Sequence, residues 1–181
     1  LTGIGADHVF EAVGKRALQQ AAIDYCCPGG QITYVGLDGA DAKIALDHGA
    51  DVIWVSNHGG RQLDHGRGGL DVLPEVVQAV DGKAKVMLDG GIMRGADVVK
   101  AMALGADAVG MGRFQGMAVA AGGVPALVRA LEILESEVRA AMGMLGVTSY
   151  ADLNSSYLHP GSKEVRDPHV LSCFPLIEEG Y

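Results

Sequence analysis

Gly-Ala-Asp occurs five times in this chain, at positions 5, 39, 49, 95 and 105, and four of the five form two pairs ten residues apart. The paired stretches are GADAKIALDHGADVIWVSN from residue 39 and GADVVKAMALGADAVGMGR from residue 95. In each, the first aspartate (Asp41, Asp97) is expected to cap a short helix, and the second glycine (Gly49, Gly105) suits the left-handed position that ends one. A continuous apolar run follows, VIWV or AVGM, the pattern of a strand covered on both faces. The unit is helix, tight turn, buried strand, and two copies in one chain imply parallel strands.

Further segments extend the series. HVFEAV (8–13), QITYVGL (31–37), DVIWVSN (51–57), KVMLDG (85–90) and DAVGMG (107–112) read as strands, with helices over 15–27, 41–48, 71–80 and 96–104. Strict alternation predicts an α/β fold with right-handed crossovers, either an eight-stranded β/α barrel or an open doubly wound sheet. Residues 126–145 have helical periodicity, with Leu127, Leu131, Leu134 and Val138 on one face and Arg129, Glu132, Glu135 and Arg139 away from it, as in a closing helix on a barrel exterior. The tail over 151–181 holds three prolines and reads as irregular.

In both architectures ligands bind at the carboxyl ends of the strands. Three successive ends carry Ser56-Asn57-His58, Asp89-Gly90-Gly91 and Gly112-Arg113. LDGGIMRGAD (88–97) and GMGRF (110–114) together predict a phosphate cradle. Their glycines admit backbone N–H groups to an anion, a following helix N-terminus adds partial positive charge, and Arg94 or Arg113 adds charge-assisted hydrogen bonds. His58 can take a proton from a substrate and Arg61 can grip a carboxylate in bidentate fashion, a pair suited to removing hydrogen from a small acid. Taken alone, those two residues are better explained as a capping histidine and a surface arginine. Asp64 and His65 read as polar loop groups.

Composition narrows the partners. The 181 residues are 49% hydrophobic and 20% charged, fitting one soluble domain or part of a larger one. A net charge of −8 leaves no broad basic surface for nucleic acid or anionic lipid. Cys26, Cys27 and Cys173 are odd in number and form no C-x-x-C pair, which points to a reducing, cytoplasmic setting. No apolar run approaches the ~18 residues of a membrane span, and no signal peptide is visible. His8, His48, His159 and His169 have no metal-ligand spacing, and no G-x-S-x-G elbow appears, so neither a metal site nor a serine hydrolase is expected.

At SNHGGRQLD and LDGGIMRGADVVKAMALGADAVGMGR the sequence resembles the FMN-dependent 2-hydroxy-acid dehydrogenase and oxidase family, which includes glycolate oxidase, lactate oxidase and mandelate dehydrogenase, from about Asp38 to about Ser156. The resemblance implies a (β/α)8 TIM-type barrel holding FMN, present here in part, as C-terminal strands and helices only, over residues 38–150. It implies His58 as active-site base and Arg61 as the arginine that binds the substrate carboxylate. Asp89, Gly90, Gly91, Gly112 and Arg113 match the FMN phosphate region. The family pattern has arginine where this chain has Met93, and Arg94 is the arginine expected to take that phosphate contact. The implied reaction moves the α-hydrogen of a small 2-hydroxy acid to FMN and yields the 2-oxo acid. The alternative is a non-catalytic fragment that binds FMN or phosphate without the other half of the site. Self-association into a homo-oligomer is expected. Inosine monophosphate dehydrogenase, a related barrel, needs a catalytic cysteine loop that none of the three cysteines supplies.

Residues 1–37 differ. GADHVFEAVGKRALQQAAIDYCCPGGQITYVGL resembles the second half of the nucleotide-binding domain of medium-chain alcohol dehydrogenases, and a join is expected between Leu37 and Asp41. The flavin family would instead carry a lysine at about Val35. No G-x-G-x-x-G precedes this piece, so it does not by itself predict an NAD site.

Overall fold

Parallel pairing organises the chain. The computed structural model describes residues 5–11, 21–22, 24–34, 39–60 and 67–159. In chain order these give β1 (Ala6–Glu11), β2 (Cys26–Tyr34), α1 (Gly39–Asp47), β3 (Val52–Val55), α2 (Gly69–Val80), β4 (Lys85–Asp89), α3 (Gly95–Ala103), β5 (Ala108–Gly110) and α4 (Gly112–Leu145). β1 pairs β2, β3 pairs β4 and β4 pairs β5, all in parallel. The order β3-β4-β5 follows the chain without reversal, as successive strands of a barrel do. The fold is α/β, a partial β/α barrel.

The expected series of strands divides into a two-stranded and a three-stranded sheet. β2 starts at Cys26, well ahead of the expected Gln31, because Cys26 pairs with Ala6 while Gln31 pairs with His8. The register shift between those pairs takes up Pro28, Gly29 and Gly30, residues that an irregular edge tolerates and that look like a loop in sequence. Of the helix expected over 15–27, residues 21–22 and 24–25 are helical, 26–27 belong to β2, and the others lie outside the described residues.

The repeat unit folds as its chemistry dictates, with one shift. Gly49 (φ 85°) and Gly105 (φ 97°) follow α1 and α3 in left-handed conformation. The helices begin two residues before the aspartates, at Gly39 and Gly95. Asp97 is therefore the third helical residue, and its carboxylate reaches back to accept the N–H groups of Met93 (3.1 Å) and Arg94 (3.0 Å). Capping comes from inside the first turn.

Side-chain alternation then decides which face is covered. Ile53 lies beside Val86, Val55 beside Leu88, and Leu88 in turn beside Val109. The first four are buried beneath α2, whose Leu73, Val76 and Val80 are buried as well. The opposite row, Trp54, Met87 and Ala108, is only partly covered, and Val52 and Trp54 are 48% and 38% exposed. The expectation of strands covered on both faces is thus corrected: helices pack on one side of β3–β5, and the other side is the one that points inward in a closed barrel.

α4 also departs from expectation. It starts at Gly112 and leaves helical geometry at Gly122 (φ −170°, ψ 27°) and Gly123 (φ 63°, ψ −148°), so it is two helices end to end. Pro125 falls in the first turn of the second, where its missing N–H has no partner to lose. Only Leu134 and Val138 of the expected apolar face are buried, and Leu131 is 44% exposed. By length and composition alone Gly112–Leu145 is long and apolar enough to cross a membrane, against the expectation that no apolar run reaches that length. The break at Gly122–Gly123 and the charges Arg129, Glu132, Glu135, Glu137 and Arg139 divide that element. Beyond it, two single-turn 3-10 helices follow at Tyr150–Asp152 and Ser155–Tyr157, with Leu153 between them buried.

One electrostatic clamp sits at the amino ends of β4 and β5. Asp107 accepts hydrogen bonds from Lys85 Nζ (2.7 Å) and from the Val86 N–H (2.9 Å). The lysine first, and the backbone donor second, hold its carboxyl below the ordinary aspartate value. A depressed folded pKa stabilises the fold above the unfolded pKa, and the gain is lost as pH falls through the folded value. Asp107→Asn is expected to cost about 0.5–1 kcal/mol at pH 7, modest because the pair is partly solvent-screened. Urea unfolding should show that difference shrink as pH falls through the range in which the folded Asp107 carboxyl protonates.

Candidate active site

Strand register builds the site. Val55 pairs with Leu88, so Ser56 and Asp89 lie opposite one another on the open face, and Asp89 pairs in turn with Gly110. Ser56 is buried, and its Oγ donates to Asp89 Oδ1 at 2.5 Å while accepting the His58 N–H at 3.1 Å. A side chain at Gly110 would press on Asp89 and Trp54, its Cβ lying 3.1 Å from Asp89 Cβ and 3.5 Å from Trp54 Cζ2. The residue types at these three strand ends are set by this lateral contact.

The loop after β3 turns at once. His58–Gly60 forms one 3-10 turn, and His58 itself has φ 54°, uncommon for a residue with a Cβ. Asn57 fixes the turn by accepting the Gly60 N–H at Oδ1 (3.1 Å) and donating from Nδ2 to the Arg67 carbonyl (3.1 Å). Arg67 in turn bonds Glu75 (2.9 Å), which also accepts the Gly39 N–H (3.0 Å) and whose carboxyl is lowered mainly by that backbone donor. The loop is thereby tied to α1 and α2.

These parts surround a cavity of about 340 Å³ lined by His58, Gly59, Asp89, Gly90, Gly91, Met93 and Arg113 among others. Gly90 (φ 94°) and Gly91 (φ 78°) carry the chain from β4 in a conformation that excludes side chains, and a Cβ at Gly91 or Gly112 would meet nothing within 4 Å. The N-terminus of α4, unassisted by any side-chain cap, faces the same space through Gly112 and Arg113. Among the described residues no carboxylate pairs with Arg113. Its guanidinium lies against the His58 loop, since a Cβ added at Gly59 would be 3.4 Å from Nη1. An unneutralised guanidinium, a helix N-terminus and two side-chain-free turns form an anion site inside an acidic protein.

Of the residues singled out in the sequence, His58, Asp89, Gly90, Gly91, Gly112 and Arg113 come together here. Arg94 does not. Its side chain is 75% exposed and directed to Glu137 of α4, 3.8 Å away, while Met93 lines the cavity. The reason is local: α3 begins at Gly95, and Asp97 holds both the Met93 and Arg94 amides, which fixes the turn that sends the two side chains apart. Arg61, Asp64 and His65 lie outside the described residues. Ser56 and Asn57, read only as neighbours of His58, are the groups that organise the turn. The pattern Ser-Asn-His-Gly-Gly at a strand end, with Asn able to form a turn bond to the residue three on, was the available signal.

Most of this chain is similar to known proteins. Residues 36–160 match the family described as FMN-dependent dehydrogenase. The chain belongs to this family. L-lactate oxidase of Nostoc sp. is 48% identical over 123 residues, 68% of this chain and 34% of that one. 2-Hydroxyacid oxidase 1 of Mus musculus is 53% identical over 110 residues, covering 61% and 30%. The crystal structure of a mandelate oxidase with benzoyl-formic acid superposes with a TM-score of 0.68 at 43% identity, covering 72% of this chain and 40% of that one. This member of the FMN-dependent dehydrogenase family thus spans about a third of the length of the relatives it matches.

α3 and α4 meet at Gly95, where an added Cβ would run into the backbone N of Val138 and lie 2.5 Å from Glu137 Cβ. The Gly95 N–H donates to Glu137 Oε2 at 2.7 Å across the same contact. Gly95→Ala is expected to push the helices apart and destabilise by about 1–3 kcal/mol, measured as a lowered urea midpoint.

Proposed function

We propose that this chain carries the phosphate cradle, base and carboxylate clamp of an FMN-dependent oxidoreductase that converts a small 2-hydroxy acid to the 2-oxo acid. The observation that carries the reading is Arg113, a guanidinium with no carboxylate partner among the described residues, lining a cavity whose other walls are Gly90, Gly91 and a helix N-terminus. The residues present fit FMN: the dianionic phosphate would be held by Arg113 and the N–H groups of Gly90, Gly91 and Gly112. Asp89 keeps one carboxylate oxygen for Ser56, and its other oxygen is an acceptor for a ligand hydroxyl. When bound, FMN supplies the two-electron acceptor for the oxidation. His58, on the cavity wall, takes a substrate proton. Arg61 is assigned to the substrate carboxylate through its place in the SNHGGRQLD motif, three residues after the histidine. Relatives named for lactate and 4-hydroxymandelate support a 2-hydroxy acid as the substrate class.

A second reading is favoured by one observation. The inner face of β3–β5 is open, and the chain spans a third of its relatives. A cradle that binds FMN without turnover is consistent with both. The cysteines support a cytoplasmic setting, and the exposed apolar residues Val124, Val128 and Leu131 of α4 support self-association.

Titration of the 181-residue chain with FMN, read by flavin fluorescence, tests the cradle. Arg113→Gln is expected to weaken FMN binding about 10- to 100-fold, the loss of one charge-assisted hydrogen bond, and to leave riboflavin, which lacks the phosphate, unaffected. Met93→Arg adds a second cation at the cavity and should tighten FMN binding. Equal FMN affinity in parent and Arg113→Gln would overturn the assignment. Dye reduction by lactate, glycolate or mandelate, abolished in His58→Ala, separates turnover from binding alone.

A further inference from the structure

Among the described residues Ser56 is the one buried polar side chain, 8% exposed. Its hydroxyl has one proton, and an ionised carboxylate can only accept, so the bond to Asp89 Oδ1 fixes Ser56 as donor there and as acceptor of the His58 N–H. The hydroxyl therefore joins the ends of β3 and β4 to the backbone of the histidine in one oriented chain. His58 needs such a hold, because φ 54° is a conformation that a residue with a Cβ leaves readily. Two further bonds, from the Gly60 N–H to the Asn57 carbonyl and to Asn57 Oδ1, close the turn around His58, and the Ser56 hydroxyl is the acceptor of the His58 N–H itself.

We propose that Ser56 is a positioning residue for the site. Anchored on Asp89, it locks His58 in left-handed conformation and so presents the imidazole to the cavity beside Arg113. The assignment rests on reading His58 as the base, yet it concerns a backbone geometry that exists without ligand. Ser56 does not line the cavity. Asp89 thus has two roles at once, one oxygen on the positioning hydroxyl and the residue itself on the cavity wall. The inference also explains why serine stands here. Alanine provides no acceptor for the His58 amide, whereas a hydroxyl supplies both the donor for Asp89 and that acceptor.

Amide hydrogen exchange and proton NMR on the 181-residue chain test this. In the parent, the His58 amide should be protected and the Ser56 hydroxyl proton slow enough in exchange to give a cross-peak to it. Ser56→Ala should lower His58 protection at least tenfold while the amides in the middle of β3 and β4 stay within about twofold. Ser56→Thr, which retains the hydroxyl, should restore the protection. Unchanged His58 exchange in folded Ser56→Ala overturns the proposal, as does a Ser56→Thr variant that fails to restore it. Should Ser56→Ala not fold, the parent decides alone: a Ser56 hydroxyl in fast exchange next to an unprotected His58 amide refutes the positioning role. Absence of FMN binding in the parent would instead defeat the functional reading, leaving the His58 measurement standing.

Discussion

The in-register parallel pairing of β3, β4 and β5 is the constraint on which the rest depends. It places Ile53 beside Val86, Val55 beside Leu88 and Leu88 beside Val109, in a layer packed against α2 with its buried Leu73, Val76 and Val80. Each fully buried aliphatic side chain in that layer contributes about 1.5–3 kcal/mol. A slip of one residue would turn the whole row outward, so the hydrophobic layer specifies the register. The same register brings Ser56, Asp89 and Gly110 side by side on the opposite face. Packing on one side of the sheet thus sets the chemistry at its carboxyl edge.

That edge concentrates opposite demands in a small space. An anion site requires backbone N–H groups without side chains in the way, which Gly90, Gly91 and Gly112 satisfy, and a cation that no nearby carboxylate has neutralised. The other arginines among the described residues each face a carboxylate: Arg67 that of Glu75, Arg94 that of Glu137, Arg129 that of Glu132 and Arg139 that of Glu135. Arg113 differs from these four in lining a cavity and in having no such partner among the described residues. In a chain of net charge −8 that distinction is what supports the proposed anion site.

The parallel α/β series and the cluster of site residues were legible because they depend on local signals: aspartate near a helix start, glycine after its end, an apolar strand, then glycines and arginine. Gly49 and Gly105 adopt the left-handed conformation that their position in the repeat requires. What sequence could not convey depends on tertiary neighbours. Arg94 and Met93 are adjacent in the chain, and only the Asp97 bonds to both their amides determine which one reaches the cavity. VIWV reads as a strand covered twice, yet helices cover the Ile53 and Val55 side alone. Leu131 fits the periodic face of α4 and is still 44% exposed, whereas Val138, at the contact with Gly95 of α3, is buried. Ser56 looked like a bystander because its role arises from Asp89, distant in sequence and opposite in register.

The central claim is that three strand ends form one FMN phosphate site. Its most direct measurement is a map of amide chemical-shift changes in isotopically labelled protein as FMN is added, with riboflavin as the reference. The account predicts that the changes specific to FMN cluster at Gly90, Gly91, Gly112 and Arg113, with smaller ones at His58 and Gly59. Changes confined to β1 and β2, or identical for FMN and riboflavin at the glycine loops, would contradict it.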